Sequence, residues 1–394
     1  MLPSFAVPGP RDRLIIAASV RPVDEGQVKV EICHCGPLQR GAILSGGAVA
    51  PIWMRGLDAG SVQVMEHARL GNSGLQVSRL CLGTMTFGLQ SDEATGIAIM
   101  DKAAEAGVDF FDSSDAYPLG GDFTTAGRTE EIIGRWMRGK RDRFILATKC
   151  FVPMGPAPMD GGNSRKHIMS AVEGSLRRLG TDYIDLYQLH GYDQNTPIDE
   201  TLSTLDDLVH SGKIRYLGCS NFLTYQLVRA IGRSQTLRLA RFDSVQPRYN
   251  LLFRQIEREM LPFCAEDGVG VIPYNPIAGG LLSGKHDGSA PPPSGSRFTL
   301  GFAGPMYQER YWHERMFDTV EALRKLADQA GISLVTLSVA WVLANKAITA
   351  PIIGASRPEQ LDASLAAMTY TLNPDLKQHL DDLTYEYRLG DAPR

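Results

Sequence analysis

From residue 80 to the end of the chain, short apolar runs alternate with amphipathic stretches, and this rhythm predicts the fold. The run LCLG, 80–83, reads as a buried strand, and 92–106 carries the period of an amphipathic helix closed by Gly107. Further strands are expected at 109–112, 144–149, 184–189, 216–219, 244–246, 269–273 and 350–353. Helices are expected between them at 129–137, 164–179, 197–211, 224–231, 255–266 and 334–345. Parallel strands need long crossovers and are buried on both faces, so eight apolar strands linked by helices predict a closed (β/α)8 TIM barrel of the α/β class. An open doubly wound sheet is the competitor, but no Gly-x-Gly-x-x-Gly turn follows an early strand.

The interval before the eighth strand is longer. It holds a Gly/Pro/Ser-rich loop, 279–297, and an extra helix around 317–330, a candidate lid. Two more helices, 358–367 and 374–383, follow the last strand. Ahead of the barrel, EHARLGNSGLQVSRLCLG has two short apolar segments around Gly71-Asn72-Ser73-Gly74, an N-terminal hairpin signature. Residues 1–64 are rich in Gly, Pro and Ala, lack periodicity of useful length, and lead to a second methionine, Met65. They are expected to be a disordered extension, with 65–394 forming the barrel and Met65 a candidate start. Removing 1–64 is expected to leave activity and melting temperature nearly unchanged; an insoluble or inactive truncated protein would contradict this.

Composition narrows the function classes. With 43% hydrophobic and 21% charged residues, the 394-residue chain can bury a large core. A net charge of -4 gives no electrostatic reason to expect nucleic acid or an anionic membrane surface. No run approaches the apolar length of a membrane helix, and LIIAASV, 14–20, is at the short limit for a signal peptide and lacks a convincing cleavage site. Four of the six cysteines are single and lie on or beside apolar runs, which with the missing signal predicts a reducing, cytoplasmic setting. Cys33-His34-Cys35 has no second ligand pair at zinc-site spacing, so no metal is expected.

In a barrel, the carboxyl ends of the strands share one rim. Here successive strands end at Asp112, Lys149, His190, Ser220-Asn221, Gln246 and Tyr274, with Tyr117 shortly beyond Asp112. Lys149 follows the apolar FILAT run, so its ammonium needs an anionic neighbour, which Asp112 can supply. A lysine beside Tyr117 is expected to lower the phenol's pKa from about 10, and His190 could hydrogen-bond a carbonyl oxygen that accepts a proton. Each residue alone also has a bland reading: Lys149 a snorkelling surface lysine, His190 a strand-end cap, Asp112 a helix cap.

The chain resembles the aldo-keto reductase superfamily over roughly residues 65–390. The motifs are FFDSSDAY (110–117), RTEEIIGRW (128–136), ATK (147–149), RLGTDYIDLYQLH (178–190), GKIRYLGCSNF (212–222), VQPRYNLL (245–252), PYNPIAGGLLSGK (273–285) and PIIGASRPEQL (351–361). The resemblance implies a catalytic tetrad of Asp112, Tyr117, Lys149 and His190, with NADPH/NADP+ extended across the barrel mouth and Tyr117 protonating an aldehyde or ketone reduced by hydride transfer. It implies that Ser220, Asn221 and Gln246 hold the nicotinamide carboxamide and that Tyr274 stacks on the ring. Pro276, Ala278, Gly280, Leu281 and Lys285 would follow the pyrophosphate; Arg297, Gly354, Ser356, Arg357, Gln360 and Ser364 would surround the adenosine and its 2'-phosphate. The family often has Asn at the Ser364 position, and a larger residue where Gly191 is expected to open the substrate pocket. With the Pro/Met-rich loop after Lys149 as an apolar wall, a fairly large, non-acidic carbonyl or alcohol substrate is expected. The alternatives are a cofactor-sensing regulatory subunit resembling potassium-channel β subunits and, less well matched by Tyr274 and the Ser-Asn…Gln set, a phosphate-binding lyase or isomerase.

Overall fold

The computed structural model describes residues 65–389, together with the backbone of two strands, β1 (Ile16–Val23) and β2 (Gln27–His34). β1 and β2 pair antiparallel, Ile16 opposite His34. The expected disordered extension otherwise falls outside the described residues, as does Cys35. This segment and residues 63–394 are separate compact units.

In the larger unit, β3 (His67–Arg69) and β4 (Gln76–Ser78) form the N-terminal hairpin. Eight parallel strands follow: β5 (Cys81–Gly83), β6 (Phe110–Asp112), β7 (Ile145–Cys150), β8 (Ile184–Leu189), β9 (Ile214–Ser220), β10 (Ser244–Gln246), β11 (Gly270–Val271) and β12 (Ile352–Ile353). They neighbour one another in chain order, with β12 beside β5. The Thr349 and Ile352 N–H groups donate to the carbonyls of Val271 and Pro273, both at 2.8 Å, joining the two edges and closing the barrel.

The inner faces follow the two-residue period of a strand. Cys81, Phe110, Ala147, Leu186, Ile272 and Ile352 fill the interior together with Leu70 and Val77 of the hairpin. The hairpin therefore plugs the amino end of the barrel. Gly71 lets it dock: its φ is +57°, and a Cβ there would stand 2.4 Å from the Gly268 carbonyl. Outward residues such as Phe111, Tyr187, Cys219 and Val245 belong to a second core under the helices.

The helices are α1 (Glu93–Glu105), α2 (Arg128–Met137), α3 (Arg165–Leu179), α4 (Ile198–His210), α5 (Thr224–Leu237), α6 (Met260–Asp267), α7 (Ala303–Tyr311), α8 (Glu314–Gln329), α9 (Leu334–Leu343), α10 (Leu361–Leu365) and α11 (Pro374–Leu383). Asp92 and Ser164 cap α1 and α3 by accepting the Thr95 and His167 N–H groups.

Three expectations need correction. A single helix over 255–266 is a short 3-10 turn, Gln255–Glu257, followed by α6; Pro262 is tolerated only in a first helical turn, so the helix starts close before it. The stretch 358–367 is broken into α10 flanked by 3-10 turns at Pro358–Gln360 and Ala366–Met368. The insertion before β12 holds α7 as well as α8. Gly304 and Pro305 read as breakers but occupy the first turn of α7, where backbone N–H groups have no helical partner to lose. No single helix among the described residues is long and apolar enough to cross a membrane.

Candidate active site

Asp112 and Lys149 lie two residues beyond the inward-facing Phe110 and Ala147, so alternation turns both side chains into the carboxyl end of the barrel. Lys149 is fully buried. Its Nζ donates to Asp112 Oδ2 at 2.6 Å and to the Ser113 carbonyl at 2.7 Å. Burial alone would push the ammonium's pKa down, but Asp112 and then Tyr117 outweigh it and hold the pKa above its ordinary value. The other carboxylate oxygen, Oδ1, accepts from Gln188 Nε2 at 2.9 Å and Gln246 Nε2 at 2.8 Å. Gln188 was not among the expected site residues. Its signal is the same alternation, two positions beyond inward Leu186, but it is hidden inside the apolar strand IDLYQL.

Tyr117 stands over this floor, its ring centroid 5.2 Å from Lys149 Nζ. Its ring meets that of His190 edge-on, 5.8 Å between centroids and 80° between planes. The expected lowering of the phenol's pKa is corrected: burial is the larger effect and pushes it up to about 12, with Lys149 opposing. Burial, then the Lys149 charge, pushes His190 down to about 3, so its imidazole is neutral at physiological pH. The Ser114 hydroxyl is 3.1 Å from His190 Nδ1.

The neighbouring rim is tied together by hydrogen bonds. Ser220 Oγ donates to the Gln246 carbonyl at 2.9 Å, Asn221 Nδ2 donates to the His190 carbonyl at 2.8 Å, and the Tyr274 hydroxyl donates to Asn221 Oδ1 at 2.8 Å. Asn221 adopts φ +58°, a left-handed conformation that asparagine tolerates better than most residues. Gln246 spends its side-chain nitrogen on the Asp112 network, while its side-chain oxygen, Oε1, takes part in none of these bonds.

Beyond Tyr274, Pro276 is buried and the side chains of Ala278 and Leu281 lie in the core, so what the loop can offer a ligand there is backbone. Gly280 has φ +104° and no atom within 4 Å of where a Cβ would sit, an open cradle. Arg297 has a buried Nη1 with no hydrogen-bond partner. Ser356 N–H and Oγ donate to Gln360 Oε1 at 2.8 and 3.2 Å. Lys285, Gly354, Arg357 and Gln360 are exposed, whereas Ser364 is buried. No hydrogen bond joins Lys285, Arg297 or Arg357 to Asp112, Tyr117, Lys149 or His190. The cradle and the unpartnered guanidinium nitrogen fit an extended dinucleotide with a terminal phosphate.

The expectation for Gly191 is also corrected. The space beside it is filled by the ring of Phe151, whose Cε1 would stand 2.8 Å from an added Cβ. Phe151 itself has φ +139°, a strained value for a bulky residue. Gly191 is thus the seat of the Phe151 ring, while the rest of the loop leans outward, with Met159 43% exposed. Gly191→Ala is expected to destabilise the protein by about 1–3 kcal/mol through overpacking; an unchanged denaturation midpoint would mean that the ring swings aside freely.

The aldo/keto reductase family model matches residues 79–384. The chain belongs to the aldo/keto reductase family. An uncharacterized oxidoreductase, YrpG, of Bacillus subtilis is 39% identical over 327 residues, covering 81% of this chain and 96% of the relative. Versiconal hemiacetal acetate reductase of Aspergillus parasiticus is 32% identical, covering 81% and 96% of the two chains. A probable voltage-gated potassium channel subunit beta of Arabidopsis thaliana is 35% identical, covering 77% and 91%. This aldo/keto reductase therefore resembles relatives named as oxidoreductases and one named as a channel subunit.

Proposed function

We propose that this aldo/keto reductase is an NADPH-dependent oxidoreductase that reduces an aldehyde or ketone to an alcohol. The observation that carries the reading is the buried Lys149–Asp112 pair beneath Tyr117, with neutral His190 beside it. A bound reduced nicotinamide would supply the hydride. Ser220, Asn221 and Gln246 would hold its carboxamide, Tyr274 would stack on it, the loop from Pro276 to Lys285 would follow the pyrophosphate, and Arg297, Gly354, Ser356, Arg357, Gln360 and Ser364 would hold the adenosine end.

With a pKa of about 12, the Tyr117 phenol is fully protonated at neutral pH and is loaded as an acid. Its intrinsic acidity is poor, and the fixed Lys149 ammonium stabilises phenolate character as the proton moves to the substrate oxygen. Asp112 keeps Lys149 charged and aimed. His190 donates a second hydrogen bond to the same oxygen, orienting the carbonyl. The polar groups thus converge on one oxygen, as carbonyl protonation requires.

The testing experiment follows NADPH oxidation with a panel of aldehydes and ketones. Steady turnover is expected; tight NADPH binding without turnover of any of them would favour the second reading, a cofactor-sensing subunit, for which the named channel-subunit relative is the support. Arg297→Gln is expected to weaken NADPH binding by about tenfold or more, with NADH affected little, as loss of a charge-assisted contact to the 2'-phosphate would do. Equal effects on both cofactors would assign Arg297 elsewhere.

A further inference from the structure

The proposed reaction leaves Ser114 and Asp115 without a task, although both are fully buried beside it. Ser114 Oγ lies 3.1 Å from His190 Nδ1 and 3.3 Å from Asp115 Oδ1, and it accepts the Ala116 N–H at 3.4 Å. Asp115 Oδ2 has no hydrogen-bond partner. An ionised carboxylate in such a place is costly. The nearby Glu130 is already committed, accepting from Thr148 Oγ1 at 2.6 Å and Arg178 Nε at 2.7 Å. Burial, and next the Glu130 charge, push Asp115 well above the usual carboxylate range, against the opposing pull of Arg178. Full burial and the unpartnered Oδ2 thus favour the neutral form of Asp115, which has a proton to donate.

That proton decides the direction of a short chain of bonds. A neutral imidazole carries one N–H, and a serine hydroxyl has one proton to give. Were Asp115 ionised, it would take the Ser114 proton; His190 would then donate from Nδ1 and leave Nε2 bare. With Asp115 protonated, every bond in the chain runs the other way. His190 Nε2 makes no hydrogen bond within the described residues, and the His190 backbone is pinned by its N–H to the Cys150 carbonyl at 2.8 Å and by Asn221 at its own carbonyl.

We propose that Ser114 and Asp115 are positioning residues that set the His190 tautomer: Asp115 donates to Ser114, Ser114 donates to His190 Nδ1, and Nε2–H is presented to the substrate oxygen. Only the last clause rests on the carbonyl-reductase reading; the tautomer itself exists without substrate.

The test is nitrogen NMR of the full-length protein with 15N-labelled histidine, the signals of His190 among the eight histidines being assigned by their loss in His190→Gln. Wild type is expected to carry the proton on Nε2. Ser114→Ala removes the donor to Nδ1, so a Nδ1–H population should appear, and kcat for any turned-over carbonyl should fall about tenfold with KM within about twofold. Asp115→Asn retains a donor toward Ser114 and should keep the wild-type tautomer. A wild-type proton on Nδ1, an unchanged spectrum in Ser114→Ala, or a flipped tautomer in Asp115→Asn would overturn the proposal. Absence of turnover with every carbonyl would count against the reductase reading alone, because the tautomer signals are read without it.

Discussion

Tyr117→Phe is expected to lower kcat for carbonyl reduction by roughly a hundredfold to ten-thousandfold, the range spanned by loss of a general acid. NADPH affinity should stay within about twofold, because the change deletes one hydroxyl and leaves the ring edge-on to His190. The fold should also be retained. Lys149 would keep its bonds to Asp112 and the Ser113 carbonyl, so no charge is left uncompensated. Wild-type rates in this variant would remove Tyr117 as the proton donor. A proportionate loss of NADPH binding would make it a structural residue instead.

Lys149→Met is expected to be the most damaging change to the fold. It removes the only cation bonded to Asp112 among the described residues and leaves a buried carboxylate with two amide donors, Gln188 and Gln246. Breaking a buried pair by deleting one partner typically costs about 3–5 kcal/mol, most of it the penalty of the stranded charge. The penalty belongs to the charge and acid removes the charge, so the deficit should be largest near neutrality and shrink in acid. Urea denaturation across pH checks this. Asp112→Asn combined with Lys149→Met should recover much of the loss, since the stranded charge is then gone; no recovery would mean that Lys149 stabilises the barrel mainly by packing.

Much of this architecture is legible in the chain because strand period and burial are coupled. The runs at 184–189 and 244–246 coincide with β8 and β10, and Gly71 to Gly74 mark the turn of the hairpin that plugs the barrel. Asp112 and Lys149 stand out as charges ending apolar strands. What escapes is of a different kind. Gln188 is a polar inward residue surrounded in sequence by apolar neighbours, so its burial reads as noise until Leu186 is known to face inward. Helix α7 is masked by Gly304 and Pro305, whose helix-breaking character has no effect in a first turn.

Two further points depend on three-dimensional neighbours. Gly191 is read from the chain as open space, but its space belongs to Phe151, forty positions earlier. The Tyr117 pKa turns on a competition between desolvation and a nearby cation, and residue types alone give the sign of each effect without the winner. Ser114 and Asp115 likewise look like ordinary turn residues in FDSSDAY until the His190 ring is placed against them.

The most direct test of the central claim is transfer of the hydrogen itself. NADPH deuterated at the transferable position of the nicotinamide would be incubated with the protein and each carbonyl of a panel, and the alcohol examined by mass spectrometry and NMR. One deuterium is expected on the former carbonyl carbon of at least one product, formed over many turnovers and lost with Tyr117→Phe. Tight NADPH binding with no deuterated alcohol from any carbonyl would contradict it.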